Sequence, residues 1–190
     1  MLDFDSTRTW KPIVEKMART TNPRHRKMLG ELLNHARGET ESDLELVLST
    51  LSPNPAYKAV RQGPPDRQPK GFEEVRAFYV NEVFGRGRFC LEGNKDRIVV
   101  DDDTIITEGE MRLIRWGRDL AEDGAAIDDK DACYLMAVRI LIVWPFDADG
   151  KIIGEESWSQ PMFKPLQKVA DEDVPARFKA YIAERLAQAA

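Results

Sequence analysis

Apolar residues recur at helical spacing in four stretches of the chain. The predicted helices cover 22–38, 40–53, 71–84 and the segment from 173 onward, with a shorter one at 12–17. Asn22 ahead of Pro23 is typical of a helix start, and Gly38 is the predicted end of that helix. Thr40 followed by Asp43 resembles a capping box and predicts a second start directly afterwards.

The pattern changes to that of β-strands after the third helix. The predicted strands cover 56–61, 88–100, 104–116, 133–146 and 151–160. Gly93-Asn94 interrupts the second of them as a turn or a bulge, and 117–130 is a predicted loop. Helices followed by a meander of long strands indicate an α+β domain with an antiparallel sheet.

Composition narrows the class of protein. The 190 residues are 42% hydrophobic with a net charge of −5, which supports a packed core and disfavours nucleic acid as a partner. No apolar run is long enough to cross a bilayer, and the acidic segment Met1 to Asp5 lacks the apolar region of a secretion signal. Two cysteines and two histidines leave little for a disulfide framework or a metal site. We therefore expect a cytoplasmic globular domain without cofactor, metal or membrane contact.

Three motifs resemble one known superfamily. Ser42-Asp43-Leu44 opens a helix, the segment from Gly71 to Tyr79 reads GFEEVRAFY, and the segment from Phe146 to Gly154 reads FDADGKIIG. Their order and spacing are similar to those of the nuclear-transport-factor-two-like, or SnoaL-like, superfamily over roughly 40–158. The resemblance implies a cone-shaped domain in which a strongly bent sheet wraps N-terminal helices around a deep apolar pocket. The implied division is an arm at 1–38, the cone at 39–165 and a C-terminal helix at 166–190.

Two chemistries of that superfamily are disfavoured by the residues present. Aligned on limonene-type epoxide hydrolases, the chain keeps a tyrosine at Tyr57, but Gly109, Met111 and Ser157 replace the arginine and two aspartates. Aligned on ketosteroid isomerases, the two catalytic carboxyl positions fall near apolar residues, Ala59 and Ile142. Lyase, isomerase or cyclase chemistry of another kind stays open, as does binding without catalysis.

The same comparison sets which strand residues face the pocket. The expected lining is Thr107, Gly109, Met111, Tyr134, Met136, Val138, Ile140, Ser157 and Tyr79. Gly109 is expected to enlarge the cavity where relatives place an arginine.

Glu155 and Tyr57 are the candidate catalytic residues. An apolar pocket would suit Glu155 as a general acid or base, and Tyr57 could donate a hydrogen bond to a ligand oxygen. The alternatives are that Glu155 is a solvated strand end or the partner of Arg139 or Arg115, and that Tyr57 is a wall residue with its hydroxyl at the rim.

Other residues have simpler interpretations. His35 is predicted to cap a helix C-terminus, although its helix could close over the pocket mouth. Cys90 and Cys133 are expected in the core, and Asp101 to Asp103 in a solvated turn. Both faces of 133–146 are apolar, so we expect a second subunit on the outer face and hence a homodimer.

Two functions follow as hypotheses. The first is binding of a hydrophobic small molecule in the cone, with Glu155 moving a proton if the protein is a lyase, isomerase or cyclase. The alternative is a non-enzymatic dimerisation or partner-binding domain whose cone is plugged by its own side chains, for example by the N-terminal Phe4 and Trp10.

Overall fold

The computed structural model describes residues 1–60, 68–161 and 165–188 of the chain. The helices are α1 (Lys11–Arg19), α2 (Pro23–Glu41), α3 (Leu44–Ser49), α4 (Phe72–Phe78), α5 (Gly117–Glu122) and α6 (Ala176–Gln188). The strands are β1 (Lys58–Val60), β2 (Leu91–Val100), β3 (Thr104–Trp116), β4 (Cys133–Pro145), β5 (Glu156–Pro161) and β6 (Gln167–Val169). A π-helix, Tyr79–Phe84, continues α4, and 3₁₀ helices form at Ser6–Thr9 and Asp171–Asp173. The predicted α+β class is confirmed.

The strands form one curved, unclosed sheet. Their order is β1-β5-β4-β3-β2, with β6 paired to β4. An antiparallel sheet was predicted, but the sheet is mixed, because β1 runs parallel to β5. The irregularity of β2 is a bulge between Lys95 and Arg97, a little later than Gly93-Asn94. Arg61, the predicted end of the first strand, lies outside the described residues.

Helix α2 continues past its predicted end. It runs through Gly38 to Glu41, and Ser42 closes it in the left-handed conformation at φ 60°. A Cβ at Gly38 would lie 2.6 Å from Val47 Cγ2, so this glycine allows α2 and α3 to pack closely and does not stop the helix. The predicted cap at Thr40 is also corrected, because the Asp43 carboxylate accepts from Leu46 N and begins α3.

The main core lies between the helices and the inner, concave face of the sheet. Met28, Leu29 and Leu32 of α2 pack in one buried cluster with Ile105 of β3 and Trp144 of β4. Helix α2 therefore packs directly on the sheet, and the predicted boundary between arm and cone at residue 38 falls within this helix.

The C-terminal segment covers one end of the outer face. Phe178 of α6 is fully buried with Ile114, Cys133 and Leu135, whose side chains project from that face. The helix begins at Ala176 and not at the predicted cap, Asp173, which lies in a 3₁₀ turn. At this end of β4 the same chain supplies the cover that the sequence analysis assigned to a second subunit.

The N-terminal arm lies along the edge strand β2. Gly93 N donates to Thr9 Oγ1 at 2.9 Å, and Asp5 N donates to Glu92 Oε2 at 2.8 Å. Glu92 is fully buried between Arg8 and Arg112, each 3.1 Å from its Oε1. The arm thus protects a strand edge that would otherwise expose unpaired backbone groups.

Candidate functional site

A cavity of about 570 Å³ lies between α2 and the inner face of the sheet. Its walls include seven of the residues proposed from the sequence: Tyr57, Thr107, Gly109, Met111, Ile140, Glu155 and Ser157. Ile142 and Trp144 complete the part of β4 that borders it, and Trp144 Nε1 donates to Thr107 Oγ1 at 3.0 Å.

Four predicted lining residues lie elsewhere among the described part of the chain. Met136 and Val138 follow the inner face of β4 beyond the cavity wall. Tyr134 lies further along the strand, where its hydroxyl donates to Asp128 Oδ1 at 2.6 Å. Tyr79 is fully buried behind the wall and not in it.

Gly109 borders the cavity, but the structure explains the glycine differently from the predicted enlargement of the cavity. A Cβ at this position would lie 1.9 Å from the backbone oxygen of Asn94, next to the bulge in β2. The glycine is therefore required by the close approach of the two strands.

His35, which lines one end of the cavity, and Tyr79 behind it begin a buried chain of hydrogen bonds. The Thr50 hydroxyl donates to Val47 O at 2.6 Å, so its oxygen accepts from His35 Nδ1, 2.8 Å away. This places the imidazole proton on Nδ1, and Nε2 accepts from the Tyr79 hydroxyl at 2.9 Å. Burial lowers the pKa of His35 to about 3, so the ring is neutral. His35 is thus a buried site residue and not the helix cap that was expected.

Tyr57 continues the chain into the cavity. Its hydroxyl lies 3.0 Å from that of Tyr79. Because the Tyr79 proton is directed at His35, Tyr57 donates to Tyr79, and its oxygen lone pairs remain as acceptors on the cavity side. Burial raises the pKa of both phenols well above their usual value and keeps them protonated.

Glu39 and Lys95 were missed by the sequence analysis. Burial raises the pKa of Glu39 to about 7, against the opposing attraction of Lys95. Burial also lowers the pKa of Lys95 to about 8, and its ammonium donates to Thr9 O at 2.5 Å. Both side chains line the cavity, so this end is polar while the Ile140 side is apolar.

A sequence signal for Glu39 existed. Leu32, His35, Ala36 and Glu39 all line the cavity and follow one another at helical spacing on α2. Because the predicted helix ended at Gly38, Glu39 was not assigned to that face of the helix. Lys95 was hidden because its inward orientation depends on the bulge that follows it.

Glu155 lies opposite these residues, just ahead of β5. Donor atoms of His35, Glu39 and Glu155 all lie within 4.8 Å of one another. One imidazole nitrogen and two carboxylates are a donor set that suits a divalent metal ion. The two arginines suggested as partners of Glu155 form ion pairs with other residues. Arg139 pairs with Asp96 and Glu108, and Arg115 pairs with Asp123.

Comparison with solved structures identifies the fold. A Jannaschia sp. protein described as a SnoaL-like polyketide cyclase matches with a TM-score of 0.55 at 16% identity, over 75% of this chain and 91% of that one. A Shewanella putrefaciens protein with the same description matches with a TM-score of 0.58 at 9% identity, over 78% and 87%. A Mycobacterium tuberculosis protein in complex with estradiol-17beta-hemisuccinate matches with a TM-score of 0.52 at 16% identity, over 70% and 92%.

No family model matches the sequence, and no curated protein is significantly similar to it. The structural matches nevertheless agree with the motifs from Ser42 to Gly154. The chain has the nuclear-transport-factor-two-like, SnoaL-like fold. Among the helices that the structure describes, none is both long and apolar enough to cross a membrane.

Proposed function

We propose that this protein binds a hydrophobic small molecule in the cone and acts on it, as a lyase, isomerase or cyclase, with Glu155 transferring a proton. The observation that carries the proposal is the cavity of about 570 Å³, apolar at Ile140 and Met111 and polar at Glu155. This volume is within the range of small-molecule sites, which combine apolar walls with a few placed polar groups. The steroid conjugate held by the Mycobacterium tuberculosis protein of the same fold supports a ligand of this kind.

The open cavity argues against the alternative of a plugged cone. Among residues 1–22, which precede α2, only Thr9 borders the cavity. Phe4 packs with the outer cluster and Arg112, while Trp10 packs at the edge of the main core beside Arg37. The arm thus supports the cone from outside.

Ligand binding is tested by thermal shift with steroid, terpenoid and polyketide compounds. We expect at least one class to raise the melting temperature. Ile140→Trp fills the cavity and should abolish that shift, whereas Ile153→Trp, at a 36% exposed position away from the cavity, should keep it. No shift from any class, or equal shifts in both variants, would refute binding in the cone.

Catalysis is tested on the compounds that bind. Glu155→Gln should abolish turnover and leave affinity nearly intact, because the amide keeps the shape but cannot take up a proton. Glu156→Gln is the matched control. The Glu156 carboxylate neighbours Glu155 in sequence, binds Lys58 Nζ at 2.7 Å and does not border the cavity. Unchanged turnover in Glu155→Gln would remove this residue from the mechanism.

A homodimer is part of the proposal. Val99, Leu141 and Trp158 are 46%, 36% and 42% exposed on the outer face, away from α6, and Leu141 lies directly opposite Trp158 in the sheet. Such an apolar patch fits a second copy of the chain. Trp158→Glu should give a monomer in sedimentation velocity, whereas Leu186→Glu, also exposed but on α6, should not. A wild-type monomer at high concentration would contradict the proposal.

A further inference from the structure

We propose that His35, Glu39 and Glu155 bind one divalent transition-metal ion at the polar end of the cavity. The site is that of the proposed function, but ion binding does not require that a small molecule be present. Imidazole nitrogen with carboxylate oxygen is a donor set that Zn²⁺ and Mn²⁺ accept, whereas Mg²⁺ prefers oxygen alone.

The helix supplies two ligands at a suitable spacing. Residues four apart on a helix lie on the same face, and zinc-binding helices use this spacing. His35 and Glu39 have this separation on α2, with Nε2 and Oε1 4.0 Å apart. Two ligands on a tetrahedral Zn²⁺ are about 3.4 Å apart at ordinary bond lengths. Small rotations of the two glutamate side chains would therefore close the site.

The third ligand comes from the opposite wall. Glu155 lies where the chain enters β5, and its backbone oxygen is fixed by Lys58 N at 2.7 Å. Its carboxylate approaches the pair from across the cavity, within 4.8 Å. Helix and sheet thus hold the three donors around one point. All three residues also line the cavity, so a fourth coordination position would be open to a ligand oxygen.

The hydrogen bonds of His35 orient it as a metal ligand. A metal-bound imidazole usually donates its other N–H to a fixed acceptor, which sets the tautomer and the ring orientation. Thr50 Oγ1 has this role toward Nδ1, and Val47 O fixes Thr50 in turn. Nε2 is thereby left unprotonated, 4.0 Å from Glu39 Oε1. An ion would replace the Tyr79 hydroxyl, which occupies Nε2 at 2.9 Å.

The first test is a titration of the full chain after removal of metal with EDTA and dialysis. Isothermal titration with ZnCl₂ or MnCl₂ should show one ion per chain, and MgCl₂ should bind at least 10-fold more weakly. Glu39→Gln and Glu155→Gln should each weaken Zn²⁺ binding at least 10-fold. Glu156→Gln, which changes the neighbouring carboxylate outside the cavity, should leave it unchanged. Circular dichroism checks that each variant is folded.

The second test uses the fact that the chain has only two histidines. In ¹⁵N imidazole spectra, Zn²⁺ should shift His35 Nε2 and leave His25, which lies near the surface beside Asp102, unchanged. Absence of stoichiometric binding, undiminished binding in both glutamine variants, or a shift confined to His25 would overturn the proposal. The thermal-shift panel of compounds is repeated on metal-free protein to separate this result from that of the proposed function. If a compound binds in the cavity but the protein binds no metal ion, the metal site alone is refuted.

Discussion

Replacing Tyr79 by phenylalanine would interrupt the buried hydrogen bonds behind the cavity. The substitution removes one oxygen and leaves the aromatic ring in its place. The lost hydroxyl lies 2.9 Å from His35 Nε2 and 3.0 Å from the Tyr57 hydroxyl, and all three side chains are almost completely buried. The lost partner could therefore be replaced only by a water molecule inside the cavity, which His35 and Tyr57 both border.

The expected loss of stability follows from these contacts. Two hydrogen bonds contribute about 1 kcal/mol each, and each buried polar group left without a partner costs about 1–3 kcal/mol. Allowing for partial relaxation, the Tyr79→Phe variant should lose about 2–4 kcal/mol of unfolding free energy. Tyr134→Phe removes a hydroxyl bonded to the exposed Asp128 and should lose about 1 kcal/mol or less.

Urea unfolding of a double-mutant cycle measures the coupling. In a Tyr57→Phe background the second phenol is already absent, so Tyr79→Phe should cost about 1–2 kcal/mol less than in the wild type. Additive losses would show that the two hydroxyls do not interact. A loss from Tyr79→Phe no larger than that from Tyr134→Phe would refute the buried network itself.

Three further predictions concern other parts of the fold. Glu92→Ala leaves Arg8 and Arg112 without their shared partner and should lower the unfolding free energy in urea by about 3 kcal/mol; a loss below about 1 kcal/mol would contradict the buried ion cluster. Burial raises the pKa of the Cys90 thiol to about 12, so at pH 8 it stays protonated, and iodoacetamide should label the native chain far more slowly than the urea-unfolded chain; equal rates would contradict this. Gly109→Ala should cost at least about 2 kcal/mol from its backbone clash, while Gly30→Ala, with open space around it in α2, should stabilise the chain by up to about 1 kcal/mol; similar melting temperatures for the two variants would be inconsistent with the structure.

The fold was largely predictable because local patterns and long-range packing agree. The strand from Thr104 to Trp116 has the predicted bounds, and the helix from Phe72 lies within the predicted range. Alternation along β3 and β4 placed Thr107 and Ile140 correctly on the inner face. The parallel pairing of β1 with β5 was not predictable, since nothing in a three-residue strand specifies the direction of its partner.

The polar end of the cavity was less predictable. Glu155 and Tyr57 were found through strand alternation and the family resemblance. Glu39 was lost because glycine usually ends helices, whereas Gly38 has a packing role against α3. The orientation of Lys95 depends on a bulge, and a bulge reverses the alternation on which strand arguments rest.

The central claim is that the cone takes a hydrophobic small molecule against its apolar wall. Isoleucine-methyl NMR spectra of the chain, recorded with the tightest-binding compound of the panel, test this most directly. The methyl signals of Ile140 and Ile142, which border the cavity, should shift while that of the exposed Ile153 stays in place. Unchanged signals from Ile140 and Ile142 at saturating compound would contradict the claim.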